Sequence, residues 1–411
     1  MSGTAAPALS GAAVPTGRLP VDPDALAACV ACGLCLAHCP TYRVTGEEVR
    51  SPRGRIAAMR EVDAGGEIDG AFVEAMETCV QCRACETACP SSVPFGRLME
   101  GTRSVLAAQG RTVAWWQRRA YGVLGHHRLL VALTTVGAVA QRARAMPAPL
   151  ARRLALPRLP LRQARLEGTG TDAWLFTGCV MDAWQRRTHR AVLAVAEAAG
   201  AGVALPGRGA SCCGALHVHA GLTGDARRLA RKVMGAFPGT APVLVDSAGC
   251  GAALQDYGHL LGSAEGARFS ARVHDVHEWL ADLADRLPPP RRSRVRVVVQ
   301  DPCHLRHVQQ AESFVRTVLA PYAEVVELDD EGRCCGAGGA FSALQPALAR
   351  AIRTQKVAAV NRAAGPGPVV VASANPGCSI WLAGAGLDVR HPVEIVATAA
   401  GLEGWGARGG R

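Results

Sequence analysis

Two cysteine motifs near the start of the chain have a spacing that iron–sulfur proteins use. They are Cys29-x2-Cys32-x2-Cys35-x3-Cys39 before Pro40, and Cys79-x2-Cys82-x2-Cys85-x3-Cys89 before Pro90. Three thiolates of such a loop bind three irons of a four-iron cube, and in two-cluster proteins the fourth cysteine binds the other cluster. The spacing therefore predicts two [4Fe–4S] clusters with crossed ligands. The predicted sets are Cys29, Cys32, Cys35 and Cys89 for one, and Cys79, Cys82, Cys85 and Cys39 for the other.

Zinc is the alternative metal for these cysteines. It prefers paired Cys-x2-Cys knuckles separated by a longer spacer, and a triple repeat does not suit one tetrahedral ion. The two matches in one chain therefore favour iron–sulfur clusters over zinc.

Eight further cysteines form a pattern that occurs twice. In each copy a cysteine at the end of a predicted strand is followed by Cys-Cys-Gly-Ala and then by a cysteine after another strand. The first set is Cys179, Cys212, Cys213 and Cys250, and the second is Cys303, Cys334, Cys335 and Cys378. Ligands of parallel sheets collect at the carboxyl ends of the strands, so each set is a candidate metal or redox site. The alternative is that these thiols only fill a gap between two α/β halves.

The C-terminal half alternates β-branched runs with alanine-rich segments, which predicts parallel α/β units. The predicted strands are Ala173–Thr177, Pro242–Val245, Val295–Val299, Glu324–Leu328 and Val369–Ala372. The predicted helices include His189–Ala199, Gln310–Leu319 and Leu344–Ala363. Four histidines near the cysteines are candidates for tuning or proton handling: His217, His219, His304 and His307.

Composition limits the class of protein. A chain of 411 residues predicts two or three domains. The N-terminus has no apolar secretory segment, so sixteen cysteines indicate metal binding in a reducing, cytoplasmic compartment rather than disulfides. The longest apolar run, Leu129–Ala140, is too short to cross a bilayer, which takes about 20 residues. We therefore expect a soluble or peripheral membrane protein.

The net charge of +11 is carried almost wholly by arginine, since Lys232 and Lys356 are the only lysines. This bias is typical of genomic base composition, so the position of the charge matters more than its amount. From residue 101 to 166 there is no acidic residue, and the stretch contains Trp115, Trp116 and many arginines. Such a segment suits an anionic membrane surface or an acidic face of a partner subunit. Only the net charge favours nucleic acid, and no nucleic-acid module is present, so none is expected as a partner.

The paired cysteine motifs, the segment Ser51-Pro52-Arg53-Gly54-Arg55 and the duplicated Cys-Cys-Gly repeats together resemble the glycolate oxidase iron–sulfur subunits. The resemblance extends from about Cys29 to His391 and implies an electron-transfer subunit without catalytic residues of its own. It implies a partner subunit with FAD that oxidises a 2-hydroxy acid such as glycolate, and a quinone-type acceptor at the cytoplasmic face of the membrane. Gly336-Ala337-Gly338-Gly339 lacks the G-x-G-x-x-G spacing, so the flavin is expected on the partner.

The wider group leaves other functions open. It includes iron–sulfur subunits for lactate and anaerobic glycerol-3-phosphate oxidation, and a component of heterodisulfide reductase whose repeats commonly end in Cys-x2-Cys. Here Ser247 and Asn375 replace the first cysteine of that pair, which favours the glycolate oxidase type. A thiol–disulfide reductase and a redox sensor remain as rival hypotheses.

The predicted fold is multidomain α plus α/β. An N-terminal all-helical, two-cluster ferredoxin-like domain precedes a duplicated α/β cysteine-rich domain. The predicted boundaries are a disordered tail over 1–20, the ferredoxin-like domain over 21–105, a basic helical connector over 106–168, and cysteine-rich repeats over 169–286 and 287–411.

Overall fold

The computed structural model describes residues 19–146, 157–163, 165–168, 170–207 and 210–402. The predicted disordered tail lies outside these residues except at positions 19 and 20. Leu19 is buried against the ferredoxin-like core. Residues 147–156 of the predicted connector also lie outside the described residues.

The N-terminal domain is built from short helices that begin at polar caps or prolines. Ser51 and Asp69 accept hydrogen bonds from the first turns of their helices, and Pro40 and Pro52 occupy the first helical position, where the missing N–H costs little. The helices are α1 Pro23–Ala27, α2 Pro40–Thr45, α3 Pro52–Asp63, α4 Gly70–Glu77, α5 Ala84–Thr87 and α6 Phe95–Ala108, with a 3-10 turn at Glu48–Arg50.

The core of this domain is small and rich in methionine. Met59, Met76 and Met99 are fully buried, and Leu98 and Leu106 pack with them. The unbranched thioether side chains fill an irregular space between short helices, which suits a domain whose centre is organised by loops rather than by long elements.

In the described part of the connector, two helices lie between this domain and the C-terminal half: α7 Trp115–Leu124 and α8 His127–Arg142. Leu130, Thr134 and Ala138 form the buried face of α8, and Trp184 Nε1 donates to Thr134 Oγ1 at 3.0 Å. Among the described residues no single helix is long and apolar enough to cross a membrane; α7 and α8 meet the length and composition test only as a pair, bent by 101°.

The C-terminal half contains two four-stranded parallel sheets with the same topology, in the orders β2-β1-β3-β4 and β6-β5-β7-β8. The first repeat comprises β1 Ala173–Phe176, α9 Val180–Trp184, α10 Arg186–Ala198, β2 Val203–Ala204, α11 Ala215–His219, α12 Thr223–Met234, β3 Val243–Val245, α13 Ala248–Gln255, α14 Tyr257–Leu261, α15 Ala264–Ser270, β4 Val273–Asp275 and α16 Val276–Ala281. The second comprises β5 Val295–Val299, a π-helical turn Leu305–Gln309, α17 Glu312–Leu319, β6 Ala323–Val326, α18 Phe341–Leu344, α19 Pro346–Ala364, β7 Val370–Ala372, α20 Pro376–Ala383, β8 Val389–Arg390 and α21 Pro392–Ala399.

The predicted strands are confirmed, with ends that differ by at most two residues. The predicted helices are also present, and the third is divided into α18 and α19 at Gln345. Three strands were not predicted: β2, β4 and β8. Each is two or three residues long and lies at the edge of its sheet. Such short segments carry too little periodicity to be recognised.

Candidate iron–sulfur sites

The two cysteine loops repeat the same backbone geometry. Ala31 and Gln81 occupy equivalent positions in the two motifs and have φ values of 56° and 59°. Gly33 and Arg83, two residues further on, have φ values of 84° and 63°. Left-handed conformations at non-glycine residues cost of order 1 kcal/mol or more and are typical of functional loops. The two motifs therefore share one backbone conformation at these positions.

The thiols predicted for the first cluster line one cleft. Cys29, Cys32 and Cys35 come from the first motif, and Cys89 comes from the end of the second. Cys32 is exposed, whereas Cys29, Cys35 and Cys89 are half-buried, so this site lies close to the surface. The structure thus brings the distant Cys89 to the first loop, and Cys85 of the second motif also lines this cleft.

The thiols of the second motif are more deeply buried. Cys79, Cys82 and Cys85 are buried, and so is Cys39, which comes from the first motif. Burial is the largest effect on Cys85 and raises its pKa well above the ordinary value, and the nearby Cys79, Glu86 and Cys39 act in the same direction. A buried thiol of this kind is stabilised as a thiolate by bound metal, so the set is suited to a cluster rather than to free cysteines.

Arg55 fixes the region around Cys39. Its guanidinium donates to the carbonyls of Ala75 at 2.7 Å and Arg50 at 2.6 Å, and also to Thr41 Oγ1 at 3.3 Å. Thr41 Oγ1 in turn lies 3.3 Å from Cys39 Sγ. One buried side chain therefore ties the crossed cysteine to the segments that flank the second motif.

Three further arginines hold the cysteine loops by their carbonyl groups. Arg53 donates to Ala31 O at 3.1 Å, and Arg60 donates to Cys29 O at 2.7 Å. Arg103 donates to Cys79 O at 2.8 Å. Arg53 and Arg55 belong to the Ser-Pro-Arg-Gly-Arg segment. In the sequence, this segment supports the family resemblance but indicates no physical role. Arginine abundance conceals these roles, because the general bias makes individual arginines uninformative.

The cysteines of the first repeat lie together at the ends of β1 and β3. Cys213 Sγ is 3.4 Å from Cys250 Sγ. The pKa of Cys212 is lowered to about 5, mainly by a hydrogen bond from the Cys179 thiol and also by one from His217. The pKa of Cys179 is raised well above its ordinary value. The four thiols therefore form two close pairs, Cys179 with Cys212 and Cys213 with Cys250.

The second repeat has the corresponding arrangement. Cys303 hydrogen-bonds Cys334, and Cys335 hydrogen-bonds Cys378. The pKa of Cys335 is raised to about 12, chiefly by its hydrogen bond with the Cys334 thiol. The charge of Cys82, from the second cluster motif, acts directly on Cys303. Cys82 also belongs to one buried apolar cluster with Cys334, Cys335 and Cys378, so the second repeat borders the second cysteine loop.

The two repeats meet at the positions that replace a cysteine. Asn375 Oδ1 accepts from Gly249 N at 3.1 Å, and its Nδ2 donates to Cys378 Sγ at 3.5 Å. Ala248 N donates to Ala374 O at 3.0 Å. Asn375 therefore connects the two sites and also contributes a hydrogen bond to a thiol of the second one.

The four candidate histidines are placed at different points around the sites. His217 contacts Cys212, and His304 Nε2 donates to Gln81 O at 3.0 Å. His307 Nδ1 lies 3.0 Å from Thr87 Oγ1 and His219 packs edge-on against His304. Burial lowers the pKa of His219 to about 3 and that of His307 to about 4. These two imidazoles are neutral near pH 7 and serve the contact between the ferredoxin-like domain and the repeats.

The structure shows a buried pair behind the first repeat that the sequence does not reveal. His189 Nδ1 is 2.6 Å from Asp246 Oδ2, and its Nε2 donates to Thr177 O at 2.9 Å. Burial opposes a charge on His189, but Asp246 raises its pKa above the ordinary value. The pair joins the ends of β1 and β3, just before Cys179 and Cys250. The sequence identifies His189 only as the start of a helix, since no local pattern pairs it with a residue 57 positions away.

The chemistry of the donor groups fits iron–sulfur clusters. All sixteen cysteines are free thiols, and those of each repeat lie in close pairs. Within the described residues, no group of three or more His, Cys, Asp or Glu side chains is arranged to hold a single metal ion. Bound clusters would supply one-electron redox chemistry, and the loops and arginines described above would position the thiolates.

Comparison with known proteins agrees with this division of the chain. Residues 25–93 match the 4Fe-4S dicluster domain, and residues 173–255 and 297–383 each match the cysteine-rich domain. The glycolate oxidase iron-sulfur subunit of Escherichia coli (strain K12) is 31% identical over 90% of this chain and 93% of its own. A probable glycolate oxidase iron-sulfur subunit of Bacillus subtilis (strain 168) is 31% identical over 88% and 89%.

A more distant relative shares part of the chain. It is a component of the dihydromethanophenazine:CoB–CoM heterodisulfide reductase of Methanosarcina barkeri, 32% identical over 56% of this chain and 59% of its own. The domain matches and the relatives establish an iron–sulfur electron-transfer subunit of an oxidoreductase with two [4Fe–4S] clusters. With similarity over nearly its whole length, the chain belongs to the family of glycolate oxidase iron–sulfur subunits.

Proposed function

We propose that this chain carries electrons from a partner subunit that contains FAD and oxidises glycolate or a related 2-hydroxy acid. The electrons pass one at a time through the two [4Fe–4S] clusters toward a quinone-type acceptor. The observation that carries the proposal is the position of the second cysteine motif. Cys85 interacts with Cys39 and Cys35 of the first motif, while Cys82 acts on Cys303 of the second repeat. These neighbours support a path in which the second cluster would stand between the first cluster and the cysteine-rich repeats.

The proposed ligands are the crossed sets. Cys89 would complete the cluster of the first motif, and Cys39 would complete that of the second. Replacing Cys89 with alanine should therefore perturb the cluster of the exposed loop, whereas Cys39→Ala should perturb the buried one. Iron content and EPR spectra of the reduced proteins distinguish this arrangement from an uncrossed one, in which each replacement would damage the cluster of its own motif.

The cysteine-rich repeats allow two alternatives that iron analysis separates. If their paired thiols only dock or exchange, the anaerobically purified chain contains about eight irons, which is four for each [4Fe–4S] cluster. If the repeats hold further clusters, the iron content is clearly higher and the path extends through the C-terminal half. The sites have four cysteines each, because Ser247 and Asn375 stand where a fifth would be.

The proposed location of the chain is the cytoplasmic surface of a membrane. Leu129, Leu133 and Val136 are spaced along one face of α8 and are 47%, 50% and 65% exposed. Trp115 on α7 is 75% exposed, and exposed arginines surround both helices. An apolar stripe with a basic border suits an anionic lipid surface. The alternative occupant of the same face is an acidic surface of the flavin subunit.

The function is tested with the chain and its flavin partner purified together without oxygen. Adding glycolate should reduce the clusters, as seen by loss of visible absorbance and by EPR, and this reduction should require both subunits. L-Lactate and glycerol 3-phosphate, offered in parallel, identify the substrate class. Clusters that remain oxidised while the partner consumes glycolate would overturn the proposal.

A thiol–disulfide reductase is the second candidate, favoured by the Cys179–Cys212 pair. Cys212 has a pKa of about 5 and lies against His217, and a thiolate of this kind can attack a disulfide. Replacement of both Cys212 and Cys213 with alanine decides between the functions. If electron flow from glycolate survives while disulfide reduction is lost, the repeats act as a reductase and the electron-transfer function of this domain is wrong.

A further inference from the structure

A cleft lies where the second cluster motif, α7 and the second repeat meet. Its volume, including the part open to solvent, is about 630 Å³. The residues that define it are Cys79, Thr112, Tyr121, Phe341, Leu344 and Gln345. Because Cys79 is a proposed ligand of the second cluster and lines the cleft, a molecule bound here would lie beside that cluster.

Three polar side chains of this cleft are free to bind a ligand. Thr112 Oγ1 is buried and has no hydrogen-bond partner among the described residues. Among the described residues, the hydroxyl of Tyr121 and the side-chain amide of Gln345 also have no hydrogen-bond partner. A hydroxyl buried without a partner costs free energy, of order 1–3 kcal/mol, which a bound acceptor group would recover.

Part of the lining is apolar, beside the charged Glu77 and Arg103. Phe341 is buried, and Leu344, at the end of α18, is 41% exposed. Val80 and Val113 complete this surface. Hydrophobic and aromatic walls with a few convergent donors are the usual composition of sites for planar organic cofactors. The cleft therefore suits a flat ring that carries hydrogen-bond acceptors.

The same helix that forms one wall carries an exposed apolar surface. Gln117 and Tyr121, one turn apart on α7, face the cleft, whereas Trp115 and Trp116 are 75% and 54% exposed. Tryptophan side chains in this position are typical of a protein surface at the boundary of a bilayer. A lipid-soluble ligand would thus reach the cleft from the face that we propose to lie on the membrane.

We propose that this cleft binds the ring of a quinone and is the site of its reduction. The inference rests on the proposed electron-transfer function and adds a location to it. A cluster held by Cys79 and its partner thiolates would supply the two electrons one at a time, and the two protons would come from water in the cleft. The two carbonyl groups become hydroxyl groups, and a quinol leaves. Tyr121 and Thr112 donate hydrogen bonds to the ring carbonyls and act as binding residues.

Binding is measured directly on the cluster-loaded full chain with its partner. An azido derivative of decylubiquinone is photolysed with the oxidised complex, and the labelled peptides are identified by mass spectrometry. Label should appear on the peptides that contain Tyr121 and Phe341, and excess decylubiquinone should suppress it. Label that is spread over the surface, or confined to other peptides, would overturn the proposal without reference to turnover.

Two variants test the site by different means. Tyr121→Phe removes one hydrogen bond and should raise the dissociation constant for decylubiquinone about fivefold. Leu344→Trp fills the mouth of the cleft and should abolish labelling. The matched controls are Tyr322→Phe, whose hydroxyl bonds Pro288 O in the second repeat, and Val295→Trp, a replacement at an exposed position 47% accessible to solvent. Both controls should bind as the wild type does.

Ferricyanide separates failure of this inference from failure of the proposed function. Leu344→Trp should retain glycolate-driven reduction of ferricyanide and lose that of decylubiquinone. If the variant reduces both acceptors normally, the cleft is not the quinone site while the electron-transfer function stands. If the wild type reduces neither acceptor with glycolate, the proposed function itself is wrong. Unchanged binding by Tyr121→Phe would also contradict the assigned hydrogen bond.

Discussion

Arg55 shows how one side chain supports a metal site that it does not touch. It is 1% exposed, and its guanidinium serves the carbonyls of Ala75 and Arg50 and the hydroxyl of Thr41. Lysine or methionine at this position could not satisfy these acceptors together, because only the planar guanidinium presents several donors in fixed directions.

We expect Arg55→Met to destabilise the ferredoxin-like domain by about 3 kcal/mol, since it removes the buried hydrogen bonds that the guanidinium donates to Ala75 O, Arg50 O and Thr41 Oγ1. The variant should also lose iron from the second cluster more readily, because Thr41 no longer supports Cys39. Urea unfolding and iron release to a chelator measure the two effects. Arg350→Met, at an exposed position of α19, is the control. Equal stability of the two variants would show that the network is dispensable.

Glu100 gives the protein a pH-dependent weakness between the ferredoxin-like domain and the first repeat. Burial raises the pKa of Glu100 to about 7, with a further contribution from Asp256, while Arg97 opposes the shift. The folded state therefore binds this proton more tightly than the unfolded state, whose carboxyl has an ordinary pKa of about 4.3. The contribution of this proton to the free energy of unfolding is complete when the pH is below the pKa of the unfolded state. It decreases as the pH rises to about 7.

Glu100→Gln should therefore be more stable than the wild type at pH 8 and no more stable at about pH 4, below the unfolded pKa. The side chain is 21% exposed, so solvent screening limits the gain to about 1 kcal/mol. Thermal unfolding at the two pH values measures the difference. Glu61→Gln, at an exposed position of α3, should show no such dependence. A gain that is equal at both pH values would contradict the assigned titration.

Spacing predicts the cysteine sets, whereas the side chains that support them make long-range contacts. The sixteen cysteines can be sorted into sets because each motif is short or duplicated; the structure places Cys89 beside the first loop and pairs the thiols within each repeat. Arg103, by contrast, reaches Cys79 O and His219 O from α6, across 24 and 116 residues. Asn375 stands out in the sequence only as a missing cysteine, although it bonds both repeats. Such roles depend on tertiary distance, which no local pattern encodes.

At the scale of elements, α8 has two distinct faces. Its inner face contributes Leu130 to an apolar cluster with Cys179 and Cys212, so the helix covers the first cysteine-rich site. Its outer face exposes Leu129, Leu133 and Val136. The sequence identifies this segment only as an apolar run, and a run of a few turns does not reveal which side is covered.

Replacement of both Leu133 and Val136 with glutamate should weaken binding to anionic vesicles by about tenfold or more. Each exposed apolar side chain that enters a lipid interface contributes of order 1 kcal/mol to binding. The new negative charges also repel anionic lipids. Sedimentation with phosphatidylglycerol vesicles, at low and high salt, measures the effect. The control is Val295→Glu, at a position that is 47% exposed in the second repeat. Binding that is unchanged in the double variant would favour the flavin subunit as the occupant of this face.

At the scale of the whole molecule, the two repeats are not independent domains. Helices α10 and α21 pack together, and Val195 and Val396 belong to one buried cluster that spans both sheets. Thr188 Oγ1 donates to Glu394 Oε1 at 2.6 Å, and His391 Nε2 donates to Asp246 O at 3.1 Å. Each repeat thus supplies half of a common core and partners for the buried polar groups of the other.

We therefore expect residues 169–286 alone not to form a stable monomer, although the duplication suggests a unit of that length. Separation exposes the apolar face of α10 and leaves Thr188 without its partner, and such faces lead to association. The fragment 169–411, with both repeats, should unfold cooperatively, whereas 169–286 should associate or bind a hydrophobic dye. Sedimentation and thermal unfolding of the two fragments measure this. A monomeric first repeat with a sharp transition would mean that the duplicated units still fold separately and that their shared core contributes little.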